Sequence, residues 1–154
     1  MRVHIAADHA GFELREALIA HLSGAFEIVD HGALVYDPLD AYPPMCIACG
    51  EAVVKDLEND VPALGIVIGG SVNGEQMAAN LVDGVRAALI WNESTAELAR
   101  LHNDANVAAI GARQHTTEDA IALAETFLAT PFSDDERHID RILMMTEFEQ
   151  VRCD

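Results

Sequence analysis

The sequence predicts an α/β fold, a Rossmann-like three-layer α/β/α sandwich with a five-stranded parallel sheet and a C-terminal helix. Short β-rich segments alternate strictly with longer helical patterns along the whole chain. The strand segments are mostly continuous apolar runs, which is typical of strands covered by helices on both faces. A length of 154 residues suits one domain with a sizeable core, so we expect a single domain over residues 1–154.

Each element is assigned from its own local pattern. Apolar, β-rich runs predict five strands, at Val3–Ala7, Glu27–Asp30, Gly65–Ile68, Ala87–Trp91 and Val107–Ile110. Helical patterns follow at Phe12–Leu22, Pro44–Leu57, Glu75–Leu81, Thr95–Leu101, Glu118–Leu128 and Glu136–Gln150. A hydroxyl side chain followed three residues later by an acidic one predicts helix starts near Ser94, Thr116 and Ser133. The longest predicted loop is His31–Tyr42.

The expected topology also predicts where a ligand would bind. In an open parallel sheet, ligands lie beyond the carboxyl ends of the strands, near a switch in strand order. We therefore expect functional residues directly after the strands. Polar or glycine-rich segments lie there, at Asp8–Gly11 after the first strand, Gly69–Glu75 after the third and Gly111–Arg113 after the fifth.

The charge balance argues against several classes of partner. The chain carries 9 basic and 26 acidic side chains, a formal net charge of −17. Nucleic-acid binding needs clustered Lys and Arg, and an anionic membrane surface repels such a chain. The longest apolar runs, such as Ala63–Ile68, are far short of the ~20 residues that span a bilayer. We expect neither nucleic acid nor membrane as a partner, no signal peptide, and a cytoplasmic location.

Cys46 and Cys49 form a Cys-x-x-Cys motif, which could be a redox pair or half of a metal site. No second pair of ligands follows at zinc-site spacing. The motif lies in an apolar helical pattern, where cysteine is most often a small buried hydrophobe. Cys153 lies in a polar tail and is expected to be an unpaired surface thiol.

The glycine-rich segment Gly69–Glu75 matches neither the dinucleotide nor the P-loop signature. It is a strand-to-helix turn, whose exposed N–H groups and helix dipole favour an anion. A glycine turn before a helix is also common as plain structural punctuation. The pattern alone leaves both interpretations open.

Arginine and histidine residues supply the remaining candidates. Arg137 and Arg141 are spaced i, i+4 on a predicted helix, beside His138, and Arg113 follows a strand. Such a pair suits bidentate binding of phosphate, although on these residues alone a salt-bridged helix using its neighbouring acids is the more ordinary explanation. His9 and His102 adjoin polar residues at expected loop ends, which suits acid–base work near neutral pH.

Taken together, these segments resemble the ribose-5-phosphate isomerase type B / galactose-6-phosphate isomerase family. The matching segments keep their order from residue 3 to about residue 145. They are ADHAGFEL at 7–14, DAYP at 40–43, GIVIGGS at 65–71, AAN at 78–80, GVRAAL at 84–89, ARLHNDAN at 99–106, GAR at 111–113 and RHIDR at 137–141.

The resemblance implies reversible aldose–ketose isomerisation of a sugar phosphate, with no metal ion and no organic cofactor. His102 would assist opening of the furanose ring, with Asp8 contacting the sugar hydroxyls. Ser71 and the amides around Gly70 and Gly74 would stabilise a cis-enediolate. The phosphate would be held by His9, Arg113, Arg137 and Arg141, and the pocket lined by Tyr42 and Asn103. The family also implies a homodimer or homotetramer with shared sites, in which the C-terminal helix, about 136–150, reaches a partner.

Two positions depart from the family pattern. Many members have a cysteine base at the end of the third strand, where this chain has Gly69. It carries Glu75 instead and resembles the branch marked by Gly-Ser-x-Asn-Gly-Glu, so Glu75 is the expected proton-transfer base. Its alternative role is charge compensation at a helix N-terminus. The second departure is Val72, where glycine is usual. If φ is positive there, valine is strained by roughly 1–2 kcal/mol, or the loop takes another path, or the side chain narrows the pocket.

The expected function is therefore an aldose–ketose isomerase acting on a sugar phosphate, with ribose 5-phosphate as the expected substrate. A tetrose or hexose phosphate is one alternative, because of Val72. A non-catalytic sugar-phosphate-binding module is another, favoured by Gly69 and Val72. A Cys-x-x-Cys redox protein is a third, which predicts a low thiol pKa at Cys46 or Cys49.

Overall fold

A computed structural model describes residues 1–33 and 35–152. Five strands are present, at β1 Arg2–Ala7, β2 Glu27–Asp30, β3 Ala63–Gly69, β4 Ala87–Leu89 and β5 Val107–Gly111. The helices are α1 Phe12–Leu22, α2 Tyr42–Glu58, α3 Asn73–Ala79, α4 Glu93–Asn103, α5 Thr117–Ala129 and α6 Glu136–Arg152. A short 3-10 helix, His9–Gly11, precedes α1. In this part of the chain, no helix is long and apolar enough to span a bilayer.

The strands form one parallel sheet in the order β2-β1-β3-β5-β4. The chain leaves β1 towards β2 and then returns to place β3 on the other side, so strand order switches between β1 and β3. The register aligns their carboxyl ends, because Ala7 pairs with Ile68 and Gly69 with Gly111. A crevice at this switch is where parallel sheets of this kind bind ligands.

Two apolar clusters lie on opposite faces of the sheet. One joins strand residues such as Ile5, Ile66 and Ile110 to α1, α4 and α5, with Phe127 fully buried at its centre. The other joins alternate strand residues such as Val67 to α2 and α3. Every residue of β3 is buried, as expected for a strand covered on both sides. The predicted three-layer sandwich is thus confirmed.

The start of α4 and the end of β4 differ from the predicted boundaries, because a side-chain cap overrides local propensity. The start of α4 is set by Asn92, whose side chain accepts from the N–H of Thr95 in a capping box, and Ser94 lies inside the helix. The same cap ends β4 at Leu89 and leaves Trp91 outside the strand. Ser133 does not cap α6, since its hydroxyl accepts from the N–H of Asp135 ahead of the helix. Thr116 caps α5 as predicted.

Val72 adopts a left-handed backbone conformation, with φ 61° and ψ 7°. Its side chain is fully buried in the cluster beneath α2 and α3, so it packs into the core rather than towards solvent. The turn starts α3 at Asn73, two residues earlier than predicted. The loop therefore keeps a glycine-like path. Val72 combines a strained left-handed backbone with a buried isopropyl group.

We expect Val72→Gly to unfold at a higher urea concentration than Val72→Ala. Both variants lose the buried isopropyl group, but only glycine removes the left-handed strain, which costs about 1–2 kcal/mol. At an exposed helical site such as Ala122 the order is reversed, because glycine costs roughly 0.5–1 kcal/mol relative to alanine. Ala122→Gly is thus the control, and an alanine variant at 72 more stable than the glycine variant would contradict the strain.

Candidate active site

The first residue of the candidate site is Asp8, which lies at the carboxyl end of β1. Its Oδ1 accepts from the N–H groups of Ala10 and Gly11, at 2.9 and 3.2 Å, and thereby caps the 3-10 helix. Gly11 is required there, because a Cβ would lie 2.8 Å from the Ile68 carbonyl oxygen of β3. The side chain of Asp8 is buried, so its carboxylate is held at the switch point between β1 and β3.

Glu75 occupies the space beside the end of β3. A Cβ built on Gly69 would overlap the Glu75 carboxyl group. The carboxyl group therefore fills the volume that a side chain at position 69 would take, which is where many members of the family it resembles are expected to carry a cysteine. Glycine at 69 and glutamate at 75 depend on each other, because only glycine leaves room for the carboxylate.

Burial raises the pKa of Glu75, since its ionised form loses solvation. A backbone N–H at the start of α3 partly offsets the rise in pKa, whereas the Asp8 carboxylate and a hydrogen bond with it raise the pKa further. Only 5% of Glu75 is exposed. A buried carboxylate of raised pKa is a stronger base than an exposed one, which suits abstraction of a carbon-bound proton.

Backbone hydrogen bonds bring Arg113 to the glycine turn. The N–H groups of Ala112 and Arg113 donate to the carbonyls of Gly69 and Gly70, at 2.8 and 3.0 Å. A Cβ at Gly70 would lie 3.3 Å from Nη1 of Arg113, so the guanidinium group lies over the turn. Ser71 is exposed beside it, and its Oγ accepts from Nδ2 of Asn73 at 3.4 Å.

Tyr42, at the start of α2, closes another side of the turn. A Cβ at Gly74 would lie 2.5 Å from its hydroxyl oxygen, so the ring packs directly against α3. The carboxyl edge of the sheet thus brings together most of the predicted site residues, namely Asp8, His9, Tyr42, Gly70, Ser71, Gly74, Glu75 and Arg113.

The other predicted residues lie at the opposite edge. Because α4 runs back between two parallel strands, its last residues, His102 and Asn103, lie at the amino ends of the strands. The carbonyl of Asn103 accepts from Nε of Arg86, directly before β4, at 3.0 Å. Arg137 and Arg141 are on α6, whose first turn packs there. These four predicted site residues therefore do not follow strands.

His138 joins α6 to α4. Its ring lies 4.3 Å from that of His102, measured between centroids, and its Nδ1 lies 2.8 Å from Oγ of Ser133. It is buried, and loss of solvation together with nearby positive charge lowers its pKa, which favours the neutral imidazole. The sequence showed His138 only as a neighbour of the arginines, and no periodic signal marks its contact with His102.

Six of the arginines divide into two groups by their partners. Arg2, Arg86 and Arg100 each form ion pairs of 3.0 Å or less with carboxylates. Arg137 has only a long, exposed contact of 3.7 Å with Asp135. Within residues 1–33 and 35–152, no ion pair is recorded for Arg113 or Arg141. The salt-bridged alternative for α6 therefore has little support, and these three guanidinium groups remain available to an anion.

The two cysteines are core residues, as the structural interpretation predicted. Both are fully buried in α2, and Cys49 contacts the carbonyl of His4. Burial raises the pKa of Cys49 to about 12, and the pKa of Cys46 is raised even more by burial and nearby negative groups. The low thiol pKa that a redox role predicts is absent from this pair. Cys153 lies outside the described residues.

Ligand atoms of Asp8, His9 and Asp40 all lie within 4.8 Å of one another, a spacing that could hold a metal ion. Each group already has protein partners, since Asp8 caps the 3-10 helix and Asp40 binds His9. Sequence reasoning gave Asp40 no role, although it belongs to the matched segment 40–43. A site that needs no metal remains our prediction.

Comparison with known proteins places this geometry in a family. The profile of the ribose/galactose isomerase family matches residues 3–145. Ribose-5-phosphate isomerase B of Mycolicibacterium paratuberculosis is 48% identical over 152 residues, covering 98% of this chain and 93% of the relative. The corresponding protein of Mycobacterium leprae is 46% identical over 152 residues, covering 98% of this chain and 91% of the relative.

Comparison with solved structures points to the same family. Ribose-5-phosphate isomerase B from Mycoplasma genitalium, with bound ribulose 5-phosphate, superimposes with a TM-score of 0.89 at 37% identity, covering 97% of this chain and 96% of that one. The Clostridium thermocellum enzyme gives 0.90 at 35% identity and covers 99% of both chains. Fold, site and relatives together define an aldose–ketose isomerase. The chain belongs to the ribose/galactose isomerase family.

Proposed function

We propose that this enzyme interconverts ribose 5-phosphate and ribulose 5-phosphate through ring opening and a cis-enediolate. The observation that carries the proposal is the buried carboxylate of Glu75, which fills the space beside Gly69 at the switch point of the sheet. The Mycoplasma genitalium relative, which shares the fold, has ribulose 5-phosphate bound in its structure. A non-catalytic binding module would have no need for a desolvated carboxylate at this place.

Glu75 is the proton-transfer base in this proposal. It removes the proton from C2 of the open-chain aldose, and the electrons form the enediolate with negative charge on O1. Glu75 then returns the proton to C1, while the proton on O2 passes to O1 and leaves a carbonyl at C2. Ser71 and the backbone amides around Gly70 and Gly74 stabilise the charged oxygen, as donors aimed at developing charge do in other enzymes.

The phosphate is bound by Arg113, Arg137 and Arg141, together with His9. Guanidinium groups suit phosphate because they donate two parallel hydrogen bonds, and the weak pairing of these three leaves them available. Tyr42 and Asn103 line the sugar pocket. We expect catalysis to need no metal ion or organic cofactor, and we assign the enzyme to the cytoplasm.

The placement of these groups supports a site shared between subunits. Glu75 lies at the carboxyl edge of the sheet and His102 at the amino edge, and seven residues of β3 span about 20 Å between them. One sugar phosphate cannot contact both within one chain. A symmetric homodimer, alone or within a homotetramer, brings the carboxyl edge of one subunit to α4 and α6 of its partner.

The surface of α6 suits this contact. Its exposed apolar residues include Ile139, Leu143, Met144, Met145 and Phe148, more than a solvated helix requires. We therefore assign residues 136–150 to the subunit interface. Arg137 and Arg141 would then reach the phosphate bound at the partner's carboxyl edge.

The function is tested by an isomerase assay with product identification on ribose, ribulose, tetrose and hexose phosphates. We expect turnover of ribose 5-phosphate together with exchange of its C2 hydrogen with solvent. Faster turnover of a tetrose or hexose phosphate would favour the alternative substrates. Binding without turnover of any of them by folded protein would support a non-catalytic module.

His102 is the ring-opening residue in this proposal, and its role can be separated from that of Glu75. We expect His102→Ala to slow turnover of ribose 5-phosphate more than that of ribulose 5-phosphate, because only the aldose must open a ring. Initial rates in the two directions measure the difference. His21→Ala, at an exposed histidine paired with Glu125, is the control. Equal losses in both directions would contradict the assignment.

A further inference from the structure

Asp40 holds His9 through two hydrogen bonds to one oxygen. Its Oδ1 accepts from the backbone N–H of His9 at 3.1 Å and lies 2.7 Å from Nδ1 of the same residue. The Asp40 side chain is 12% exposed, and that of His9 is 27% exposed. Because both contacts involve one residue, they fix the backbone and the ring of His9 together.

The partner atom determines where the proton of His9 lies. A carboxylate only accepts hydrogen bonds, so Nδ1 of His9 carries a proton in this contact. The remaining nitrogen, Nε2, points away from Asp40 and carries a proton only in the imidazolium form. Fixing one ring nitrogen with a carboxylate is a common way to orient the other towards a ligand.

The second oxygen of Asp40 indicates that charge matters here. Oδ2 is buried and has no hydrogen-bond partner among the described residues. If Asp40 only held the loop against His9, a neutral amide side chain would serve equally well, and it would not leave a buried charge without a partner. Burying a carboxylate is costly unless a positive charge lies beside it, and the His9 imidazolium supplies that charge.

Titratable groups from three elements lie around His9. Asp8 comes from the end of β1, with its Oδ2 3.9 Å from Nδ1 of His9. Glu75, from α3, interacts electrostatically with the ring. Asp40 and Tyr36 come from the loop before α2, with the Tyr36 ring 6.4 Å from that of His9. Carboxylate oxygens of Asp8 and Asp40 thus lie beside Nδ1 of His9.

We propose that Asp40 is a positioning residue that holds His9 as an imidazolium and presents its Nε2–H to the phosphate group of the substrate. The inference rests on the proposed function, because the phosphate-binding role of His9 belongs to it. Asp40 itself touches neither the phosphate nor the reacting carbon atoms. Its effect is carried by the protonation and orientation of His9.

The test measures binding of inorganic phosphate by calorimetry to the wild-type enzyme and to Asp40→Asn. We expect binding about 10-fold weaker or more, the size typical of losing a carboxylate that orients a histidine. KM for ribose 5-phosphate should rise by a similar factor while kcat stays near the wild-type value. Asp37→Asn is the matched control, because Asp37 lies in the same loop and its carboxylate accepts from the N–H of Leu39 at 2.9 Å.

A double variant separates this role from simple support of the loop. If Asp40 acts through His9, Asp40→Asn should weaken phosphate binding no further in a His9→Gln background. An additive loss, or wild-type phosphate binding by Asp40→Asn, would overturn the inference. Phosphate binding needs no turnover, so it is judged separately from the isomerase activity.

Discussion

Glu75→Gln should lower kcat by about 100-fold or more while leaving KM for ribose 5-phosphate largely unchanged. Glutamine keeps the shape of the side chain beside Gly69 but cannot accept a proton from carbon. Exchange of the C2 hydrogen with solvent is the deciding measurement, because it reports the proton-transfer step directly. Exchange at the wild-type rate in this variant would assign the base to another residue.

The same variant should be more stable than the wild type at neutral pH. The folded-state pKa of Glu75 is raised above its ordinary value, so between those two values the folded enzyme binds more protons than the unfolded chain. Stability therefore falls as pH rises through this window, and ionised Glu75 destabilises the fold above it. Thermal unfolding should show a stabilising effect of Glu75→Gln at neutral pH that fades as the solution is acidified.

Glu118→Gln provides a matched control for both effects. Both residues are acidic and lie in the first turn of a helix. Glu118 is exposed in α5, whereas Glu75 is buried in α3. If Glu75 served only to compensate the helix dipole, the two substitutions would have similar, small and destabilising effects. Opposite signs on stability, with activity lost only in Glu75→Gln, would distinguish a desolvated base from a helix cap.

Arg137→Ala should raise KM for ribose 5-phosphate by one to two orders of magnitude, with a smaller effect on kcat. A hydrogen bond to a charged group contributes about 1.5–3 kcal/mol, which corresponds to that range. Among the described residues, Arg137 contacts the carboxylate of Asp135 at a long, exposed 3.7 Å, so loss of this contact should leave the stability of the fold nearly unchanged. Lys55→Ala, an exposed basic residue on α2, controls for the general loss of positive charge from an acidic protein. An unchanged KM would mean that Arg137 does not bind the substrate and is an ordinary surface residue of α6.

Mixed dimers test whether Arg137 serves the partner's site. Subunits carrying Glu75→Gln and subunits carrying Arg137→Ala would each be nearly inactive at substrate concentrations below the wild-type KM. In a mixed dimer, one shared site carries both substitutions and the other carries neither. Random mixing in equal amounts should therefore restore about one quarter of the wild-type activity in a two-fold symmetric dimer. Activity no higher than that of the separate variants would place each site within one subunit.

Local patterns were sufficient for the architecture of the chain. Continuous apolar strands alternating with helices of adequate length predicted all five strands, and the bounds of α1 and β2 agree residue by residue. The carboxyl-edge residues were predictable too, because a parallel sheet gathers whatever follows its strands at one edge. The boundaries of α3 and α4 were not, since a left-handed residue at Val72 and the Asn92 cap set them.

The sequence by itself therefore determined the fold class, the switch point at Asp8 and the glycine turn, because these depend on periodicity and chain order. Only the tertiary structure decided that the Glu75 carboxylate fills the space beside Gly69 and that Asp40 fixes His9. It also placed His102 and the α6 arginines at the opposite edge from Glu75. The physical reason is that these relations join residues distant in sequence or on opposite edges of the sheet. Packing and long-range hydrogen bonds set them, and no local pattern in the chain encodes the distance between two edges of a sheet.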